Sequence, residues 1–498
     1  MFSSTIIKAI SEKLKDNPLA SIVFDFYKKE KTFPPLLWFK ALVNSILETQ
    51  MPSFNIENEP KDFRIQAVFL KGIRKYDLPS ESRLYYGLDL RDEEDSSKRP
   101  LSLIILGNNG MGKSSLYAAL EKVGTGKSDL GLQRGFTTEN QFDFLLHGNI
   151  REEESIITVA TSNKKSYGGV LSLLKKPIVH KACFCSDYDV EVLEKSDNYQ
   201  DYILTQLGLD PIVTLLNTLN SFKSFLLPND TDSLPTNEVI SPDLLSLTCN
   251  FISVTKEVLH THLKEMAPDI KSMLENIISE YFIIDKYGSE KFIVNNEEGI
   301  FDFRIIFKKL DKSGDTTPIS LSPRFYLNTF RFKLFVFSLK LTLGLYMKIK
   351  NKIDCPYVVD DLFDSSDFNH RAEIGSYMNK VLKQHDKIIE DLIKKAEDES
   401  VTETEKSENI AFLRKLLNPQ IIFFTQDELI GRSLFDGVGE TQSIKYGRLY
   451  ETVYYNDSDI KHIILTVPDD DERSVDIEYR FINLYDKIQE NIHETPFK

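Results

Sequence analysis

Cysteine is scarce in this chain, with only four among 498 residues, at positions 183, 185, 249 and 355. Cys183 and Cys185 are separated by one residue, whereas zinc-binding pairs usually have two or more between them, and no second pair completes four ligands. The four cysteines are also too few and too scattered for a disulfide framework. We therefore expect buried thiols rather than a disulfide scaffold or a structural zinc site.

Long apolar segments are also lacking. The longest, from Leu334 to Met347, is interrupted by Lys340 and is shorter than the roughly 20 residues that a membrane-spanning helix needs. The first residues, MFSSTIIKAISEKLKD, alternate charged and apolar side chains as an amphipathic helix does, without the apolar core of a signal peptide. The sequence therefore predicts no membrane association and a cytoplasmic location.

Positive charge is in deficit. Lysine and arginine total 61 against 76 aspartates and glutamates, which gives a net charge of −15 and an isoelectric point near 5.2. Such a surface repels nucleic acid on average, because the phosphate backbone is itself negative. The balance argues against a general nucleic-acid coat protein. Contact with DNA or RNA would require a local basic patch, which the overall charge does not exclude.

The sequence does contain a glycine-rich phosphate-binding pattern. Residues 107–114 read Gly-Asn-Asn-Gly-Met-Gly-Lys-Ser, after the apolar run Leu101–Leu106 and before a predicted helix. This is the strand, loop and helix context that the P-loop pattern G-x-x-x-x-G-K-[ST] requires. Backbone amides would bind the phosphates of ATP, Lys113 would neutralise the β- and γ-phosphates, and Ser114 would bind Mg²⁺. The predicted nucleotide-binding residues of this loop are Gly107, Asn108, Asn109, Gly110, Met111, Gly112, Lys113, Ser114 and Ser115.

An acidic pair ends another apolar strand, where Tyr357-Val-Val is followed by Asp360 and Asp361. In a chain with a P-loop, a carboxylate in this position is expected to hold Mg²⁺, directly or through water, and we assign that role to Asp360. Asp361 is then placed to act as the general base for the attacking water. The alternative is that the two aspartates only cap the next turn.

The apolar periodicity and the turn residues divide the chain into four predicted parts. These are an N-terminal helical extension (1–60), a first lobe with the P-loop (61–198), a helical insertion or arm (199–298) and a second lobe (299–498). Within the second lobe, residues 397–409 are polar and acidic, which favours a mobile segment.

Two segments near the P-loop resemble the SMC/RecF/RecN branch of the ABC-type ATPases. The stretch LSLIILGNNGMGKSSLYAAL is similar to the P-loop of that branch, and FLKGIRKY is similar to its first strand, whose arginine, here Arg74, approaches the nucleotide. The resemblance covers residues 62–198 and 299–467. It implies an α/β fold, namely a P-loop ABC-ATPase head with a mixed sheet, an antiparallel β subdomain, a helical insertion and an N-terminal helical extension.

Two later segments continue the resemblance in the same order. FDSSDFNHR follows the acidic pair as the D-loop of the branch does, with Ser366 and Asp367 in its core. QIIFFTQDE resembles the final switch strand, and Gln426 lies at the usual histidine position, which makes it a candidate catalytic residue. The branch usually has glutamate at the position of Asp361. Because aspartate is one methylene shorter, the resemblance implies slow turnover.

The signature segment departs from the branch, which has roughly Leu-Ser-Gly-Gly-Glu/Gln-Lys before a long apolar helix. Here the helix follows Leu327-Asn-Thr-Phe-Arg331. By resemblance, Asn328 would replace the serine that donates to the γ-phosphate held by the opposite subunit, and Arg331 would add a cation there. Phe330 in place of glycine prevents the same close backbone approach. The alternative is an ordinary buried helix capped by asparagine.

The Q-loop glutamine of the branch is also absent. The segment CFCSDYDVEVLEKSDNYQDYILTQLGL resembles the part of the branch that carries this loop and enters the helical arm. Ser186 or Asp187 would take the place of the glutamine, which makes Asp187 a candidate Mg²⁺ ligand. The alternative is a strand-to-helix turn with an aspartate cap.

The resemblance implies that two heads sandwich two ATP molecules, so we expect a homodimer or a higher homo-oligomer. The predicted arm is too short for the rods of a cohesin-like machine, and its scale resembles RecF or the compact ATPases of bacterial anti-phage systems such as Septu PtuA. The asparagine signature, the Asp-Asp pair and the N-terminal helices resemble the defence ATPases more than RecF.

The expected function is therefore an ATPase that acts as sensor or scaffold of an anti-phage complex with a separate effector, a nuclease or a toxin. One alternative is a RecF-like ATPase of DNA repair. A second alternative is a module that does not hydrolyse ATP and that ATP locks into a dimer.

Overall fold

The structure is a computed structural model of the 498-residue chain. It describes residues 62–71, 84–90, 100–107, 112–126, 156–162, 166–170, 179–195, 199–209, 242–279, 291–295, 300–310, 316–364, 368–398, 402–440, 444–448, 462–465 and 477–483, with single positions 213, 216, 217, 220, 223, 313 and 366. The predicted N-terminal extension, 1–60, lies outside these residues.

The described strands are, in chain order, β1 (Ile65–Lys71), β2 (Leu84–Asp89), β3 (Ser102–Leu106), β4 (Ile156–Thr161), β5 (Ser166–Val170), β6 (Phe184–Ser186), β7 (Lys291–Asn295), β8 (Asp302–Leu310), β9 (Thr316–Leu321), β10 (Tyr357–Asp360), β11 (Ile421–Thr425), β12 (Ile444–Arg448), β13 (His462–Leu465) and β14 (Ile477–Asn483). The described helices are α1 (Lys113–Thr125), α2 (Asp187–Lys195), α3 (Gln200–Gln206), α4 (Pro242–Ser279), α5 (Pro323–Tyr326), α6 (Thr329–Asn351), α7 (Phe368–Asp398), α8 (Glu403–Leu416) and α9 (Glu428–Gly439).

The sheet that carries the candidate site is parallel. Its strands lie in the order β12-β3-β11-β10-β6, and all four described pairings are parallel. Strands β3, β10 and β11 are buried along their whole length, which explains why their sequences are continuous apolar runs. Because parallel strands share one direction, the residues that follow them meet at one edge of the sheet.

A second sheet is antiparallel, with the order β13-β14-β2-β1-β4-β5, and β7, β8 and β9 form a third sheet in that order. The predicted α/β fold with a separate antiparallel β part is confirmed by these sheets, and the described pairings of the site-bearing sheet are all parallel where a mixed sheet was predicted. In the part of the chain that the structure describes, no helix is both long enough and apolar enough to cross a membrane.

Helix α6 is the most deeply buried helix of the second lobe, as its apolar sequence predicts. The ring of Phe337 on α6 packs against Phe423 of β11 and against Phe363 in the turn after β10, with ring centroids 6.2 and 6.4 Å apart. The predicted long helix from Asn328 is confirmed, and its burial fixes α6 against the two strands that border the candidate site.

The chain divides into two compact units. The larger unit includes residues 60–197, 272–293 and 303–498, and so contains nearly all of both predicted lobes. The smaller unit includes residues 198–271, which form α3 and most of α4, together with 294–302. The four predicted domain boundaries remain a prediction.

The predicted mobile segment at 397–409 is wrong for its second half, because helix α8 begins there. Thr402 caps this helix, because its hydroxyl oxygen accepts a hydrogen bond from the Glu405 N–H at 3.4 Å and its backbone N–H donates to the Glu405 carboxylate. This reciprocal pair is a capping box. The acidic composition indicated disorder, but acidic residues in a first helical turn stabilise the helix through its dipole.

Two glycines allow helices α7 and α9 to pack with their backbones in contact. A Cβ atom added at Gly375 would lie 1.6 Å from the Ser433 carbonyl oxygen, and one added at Gly437 would lie 2.0 Å from the Gly375 carbonyl oxygen. The Gly375 N–H also donates to Ser433 Oγ at 2.9 Å. This packing supports the candidate site, since α7 follows the turn after β10 and α9 follows β11.

We expect Gly375→Ala to lower the free energy of unfolding by about 3 kcal/mol or more, the upper range of overpacking costs, as measured by urea unfolding. Gly439→Ala is the matched control, because Gly439 lies on the neighbouring helix α9 and its added Cβ would meet, among the described residues, only Ile444 Cγ2, at 3.6 Å. Equal stability of Gly375→Ala and the wild type would contradict the packing of α7 on α9.

Candidate functional site

The ends of three central strands are joined by backbone hydrogen bonds. Gly107, after β3, donates its N–H to the Thr425 carbonyl of β11 at 3.0 Å, and Asp361, after β10, donates to the Phe424 carbonyl at 3.0 Å. Gly107 at the start of the glycine loop, the end of the switch strand and the acidic pair therefore lie side by side at one edge of the sheet.

Lys113 is a buried cation at the start of helix α1. The preceding residue, Gly112, has a φ of 100°, a left-handed conformation that glycine adopts without strain. Lys113 is 3% exposed, and its Nζ donates to the Gly107 carbonyl at 2.6 Å and lies 3.6 Å from Asp361 Oδ2. The positive end of the helix dipole adds to this charge. The start of α1 therefore has the charge that a phosphate group requires.

Ser114 and Asp360 are joined by a side-chain hydrogen bond. Burial raises the pKa of Asp360 to about 7, although this hydrogen bond and the charge of Lys113 oppose the rise. Burial, together with the neighbouring Asp360 and Asp364, raises the pKa of Asp361 to about 8. Ionising both acids is therefore unfavourable in the absence of additional positive charge.

This acidic pair fits a divalent cation. Oδ1 of Asp360 and Oδ1 of Asp361 are buried, and among the described residues neither has a hydrogen-bond partner. Such oxygens are costly to bury unless a donor or a cation reaches them. Mg²⁺ takes oxygen ligands and is commonly held by one or two carboxylates together with phosphates. Ser114 and Asp360 are the residues that would hold it.

The two acids differ in backbone conformation and in exposure. Asp361 has a φ of 47°, a left-handed value that is uncommon outside glycine and is often found at functional sites. Its side chain is 25% exposed, whereas Asp360 is 5% exposed. Asp361 is thus the more accessible acid of the pair, as a base for an incoming water must be.

Asp187 and Ser186 lie beside the site at the end of β6. Ser186 pairs with Asp360 in the β6–β10 register, and its N–H donates to Asp189 Oδ2 at 2.9 Å. Asp187 accepts a hydrogen bond from Lys333 of α6 at 2.7 Å, and its charge raises the pKa of Asp360. Asp187 therefore forms an ion pair with a buried lysine. The predicted role of Asp187 as a Mg²⁺ ligand remains a prediction.

The signature-like segment lies directly before α6. Asn328 is exposed, and its side-chain oxygen accepts a hydrogen bond from the Arg331 N–H at 2.9 Å, so Asn328 caps the helix. Phe330 is 3% exposed and stacks on His370 with ring centroids 4.4 Å apart, and it also lies near Phe363. The phenylalanine that replaces a signature glycine therefore packs its ring into its own head.

Gln426 is exposed at the end of β11, and its backbone N–H donates to Asp364 Oδ2 at 3.0 Å. The other oxygen of Asp364 accepts from Thr425 Oγ1 at 2.7 Å. Asp364 is a candidate residue that the sequence analysis missed. The available signal was a third acid in the turn that follows Asp360 and Asp361.

For the remaining predicted site residues, the structure gives only the burial of two serines. Ser115 is buried in the first turn of α1, and Ser366 is buried, with no hydrogen-bond partner for its Oγ among the described residues. The predicted residues outside the described ranges are Arg74, Asn108, Asn109, Gly110, Met111 and Asp367. Their roles remain predictions.

No protein-family model matches the chain, and no curated protein matches it. Similar solved structures include the recombination mediator RecF with ATP, at a TM-score of 0.41 and 12% identity, covering 78% of this chain and 98% of that one. The Smc head of Pyrococcus furiosus with ScpA has a TM-score of 0.34 and 12% identity, covering 86% and 100%. The SMC head of Thermotoga maritima has a TM-score of 0.29 and 10% identity, covering 78% and 95%. RecF and SMC heads belong to the class that the sequence motifs resemble. The similarity to these solved structures concerns the fold alone.

Proposed function

We propose that the chain binds and hydrolyses ATP with Mg²⁺ at the site formed by Lys113, Ser114, Asp360 and Asp361. The observation that supports this most is the approach of Lys113 Nζ to within 3.6 Å of Asp361 Oδ2, because these two residues come from motifs far apart in the sequence. A buried ammonium group at a helix start suits the phosphates, and the hydroxyl and carboxylate oxygens suit the metal.

In this proposal the protein contributes mainly positioning and neutralisation of charge, as phosphoryl transfer to water requires. Lys113 stabilises the β- and γ-phosphates, and Ser114 and Asp360 hold Mg²⁺, which would add positive charge to the phosphates when bound. Asp361 accepts the proton of the attacking water. Gln426, which follows the adjacent strand, is the candidate to orient that water.

Calorimetric titration with ATP and an assay of phosphate release test the proposal together. Binding that requires Mg²⁺, followed by steady phosphate release, is the expected result. Binding without turnover would favour the alternative of a module that ATP only locks into a dimer. Absence of ATP binding by the folded chain would contradict the proposal.

We also propose that two copies pair around two ATP molecules, so that Asn328 and Arg331 of each copy meet the γ-phosphate held by the other. Asn328 is exposed at the N-terminus of a long helix, where free N–H groups and the helix dipole favour an anion. The guanidinium of Arg331 adds positive charge to the same helical turn.

Asn328→Asp is expected to abolish ATP-dependent pairing while preserving the fold and the ATP affinity of a single copy. Aspartate caps a helix as well as asparagine does, so the Arg331 N–H keeps its acceptor. The added negative charge would repel the γ-phosphate held by the partner copy. Light scattering with MgATP should find a monomer for this variant and a dimer for Asn328→Ser, which keeps a cap and a donor. A dimeric Asn328→Asp chain would refute this arrangement.

For the biological role, we propose that the chain acts in the cytoplasm as the ATP-dependent sensor or scaffold of an anti-phage complex with a separate effector, such as a nuclease or a toxin. The asparagine signature and the Asp-Asp pair support this role, because both resemble the Septu PtuA-like defence ATPases. A RecF-like repair ATPase is the second candidate, and the similarity of the P-loop and the first strand to that branch supports it.

Two experiments separate these roles. Co-purification with the products of neighbouring genes and loss of phage resistance in Lys113→Ala would support the defence role. A chain that runs alone, with phage plating unchanged by Lys113→Ala, would contradict it. ATPase activity stimulated severalfold by DNA, with binding that weakens steeply as salt rises, would instead support repair.

A further inference from the structure

Arg371, in the first turn of helix α7, holds the turn that follows β10. Its guanidinium donates to the Ser366 carbonyl at 2.6 Å and to the Asp364 carbonyl at 3.2 Å. Another of its N–H groups donates to Asp427 Oδ2 at 2.6 Å. Because the guanidinium is planar and presents its donors in a fixed fork, this one side chain joins the turn after β10 to the start of helix α9.

Asp427 connects Arg371 with the end of β11. It is the N-cap of α9, where its Oδ1 accepts from the Ile430 N–H at 3.0 Å, while its Oδ2 forms the ion pair with Arg371. The backbone N–H of Asp427 donates to Thr425 Oγ1 at 3.1 Å. Each carboxylate oxygen of Asp427 therefore has a different partner, and the side chain is partly shielded from water, with 18% exposed.

Gln426 lies between two residues that are held in this way. Its N–H donates to Asp364 Oδ2 at 3.0 Å, and the Thr425 hydroxyl donates to Asp364 Oδ1 at 2.7 Å. Asp361, the proposed general base, donates its N–H to the Phe424 carbonyl, two residues before Gln426. These bonds fix the backbone of Gln426 beside the turn that carries the proposed base.

We infer that Arg371 is a positioning residue for the proposed hydrolysis, because its ion pair with Asp427 fixes the exposed Gln426 relative to the turn after β10. This inference rests on the proposed function, in which Gln426 orients the attacking water. An orienting group must be held close to one geometry by the groups around it. Since Gln426 is exposed, little packing constrains it, and the bonds of its backbone and of its neighbours determine its position.

Asp427→Asn is the first test. Asparagine can still cap α9 with its one side-chain oxygen but cannot also accept from Arg371, so the variant keeps the helix and loses the ion pair. We expect kcat to fall by about 10- to 100-fold, as small displacements around a reacting group produce. The Kd for MgATP should stay within about twofold, because among the described residues Asp427 makes no hydrogen bond or ion pair with the proposed phosphate site.

Arg371→Lys is an independent variant. It keeps the positive charge but replaces the fork by a single ammonium group, which cannot donate to the same three acceptors in their separate directions. It should also lower kcat, and the double variant should be no slower than Arg371→Lys alone, because the two residues act through one ion pair. Arg432→Gln is the matched control, because Arg432 is an exposed arginine of α9 that pairs with Glu428 at 3.1 Å. It should turn over at the wild-type rate.

A merely structural role is distinguished in a Gln426→Ala background. Gln426→Ala should itself lower kcat, and Asp427→Asn should lower it no further once the glutamine is removed, because its effect acts through that residue. A further loss of the same size in that background would overturn the inference, and so would a wild-type kcat in Gln426→Ala. Thermal unfolding without nucleotide shows whether each variant has folded. If Arg371→Lys does not fold, the Asp427→Asn results decide alone.

The two proposals fail in different ways. A wild-type chain that hydrolyses ATP, with Asp427→Asn turning over at the same rate, overturns the role of Arg371 and leaves the proposed function intact. Equal losses of affinity and kcat also overturn it, since they indicate a binding defect. A wild-type chain that releases no phosphate removes the proposed hydrolysis and this inference with it.

Discussion

Lys113→Ala is expected to weaken MgATP binding by roughly 30-fold or more. In the described site the Lys113 ammonium is 3% exposed and lies between the Gly107 carbonyl and the Asp361 carboxylate. Removing one member of a buried, hydrogen-bonded charge pair costs roughly 2–5 kcal/mol, and about 1.4 kcal/mol corresponds to a tenfold change in affinity. Titration calorimetry at fixed Mg²⁺ measures the change.

Lys122→Ala is the matched control for this variant. Lys122 lies in the last turn of the same helix, α1, and removing it also deletes one positive charge. It should bind MgATP as the wild type does. Thermal unfolding of both variants without nucleotide shows whether each has folded. Wild-type affinity in folded Lys113→Ala would place the triphosphate somewhere else in the molecule.

Asp361→Asn is expected to lower the rate of phosphate release by about 100- to 10,000-fold, the usual contribution of a general base. The change preserves the size of the side chain but removes its ability to take a proton from water. ATP binding should persist, since Lys113 and Ser114 are unchanged. If two copies pair around ATP as proposed and hydrolysis separates them, the ATP-bound dimer of this variant should accumulate, which light scattering and phosphate release measure together.

Asp391→Asn is a suitable control, because Asp391 is exposed on helix α7 and pairs with Lys394 of the same helix. It should turn over at the wild-type rate. An Asp361→Asn chain that hydrolyses ATP at the wild-type rate would show that another group takes the proton. If the variant and the wild type are equally inactive and equally dimeric, the ATP-locked module is the better description.

The sequence predicted those parts of the site whose position follows from the neighbouring strand, loop or helix in the chain. The glycine loop must follow a buried strand and precede a helix, so Gly107, Gly112 and Lys113 could be placed from the pattern alone. The acidic pair could be placed because it ends an apolar strand, and the ends of parallel strands meet at one edge.

The parts that the sequence did not predict depend on contacts between distant segments. Asp364 has its partners at Thr425 and Gln426, and no spacing pattern connects these positions. Likewise, Asp187 is paired with Lys333 of helix α6, which an apolar run with a few lysines does not reveal. Helix α8 was missed for a different reason, since its acidic composition outweighed the capping pattern of its first turn.

The central claim is that Mg²⁺ with its triphosphate binds between Ser114 and Asp360. The most direct measurement is a crystal structure with Mn²⁺ and a non-hydrolysable ATP analogue, in which anomalous scattering locates the metal. The account predicts a metal peak about 2.0–2.2 Å from Ser114 Oγ and in contact with Asp360, directly or through one water. A nucleotide bound with its metal away from both residues would contradict the account.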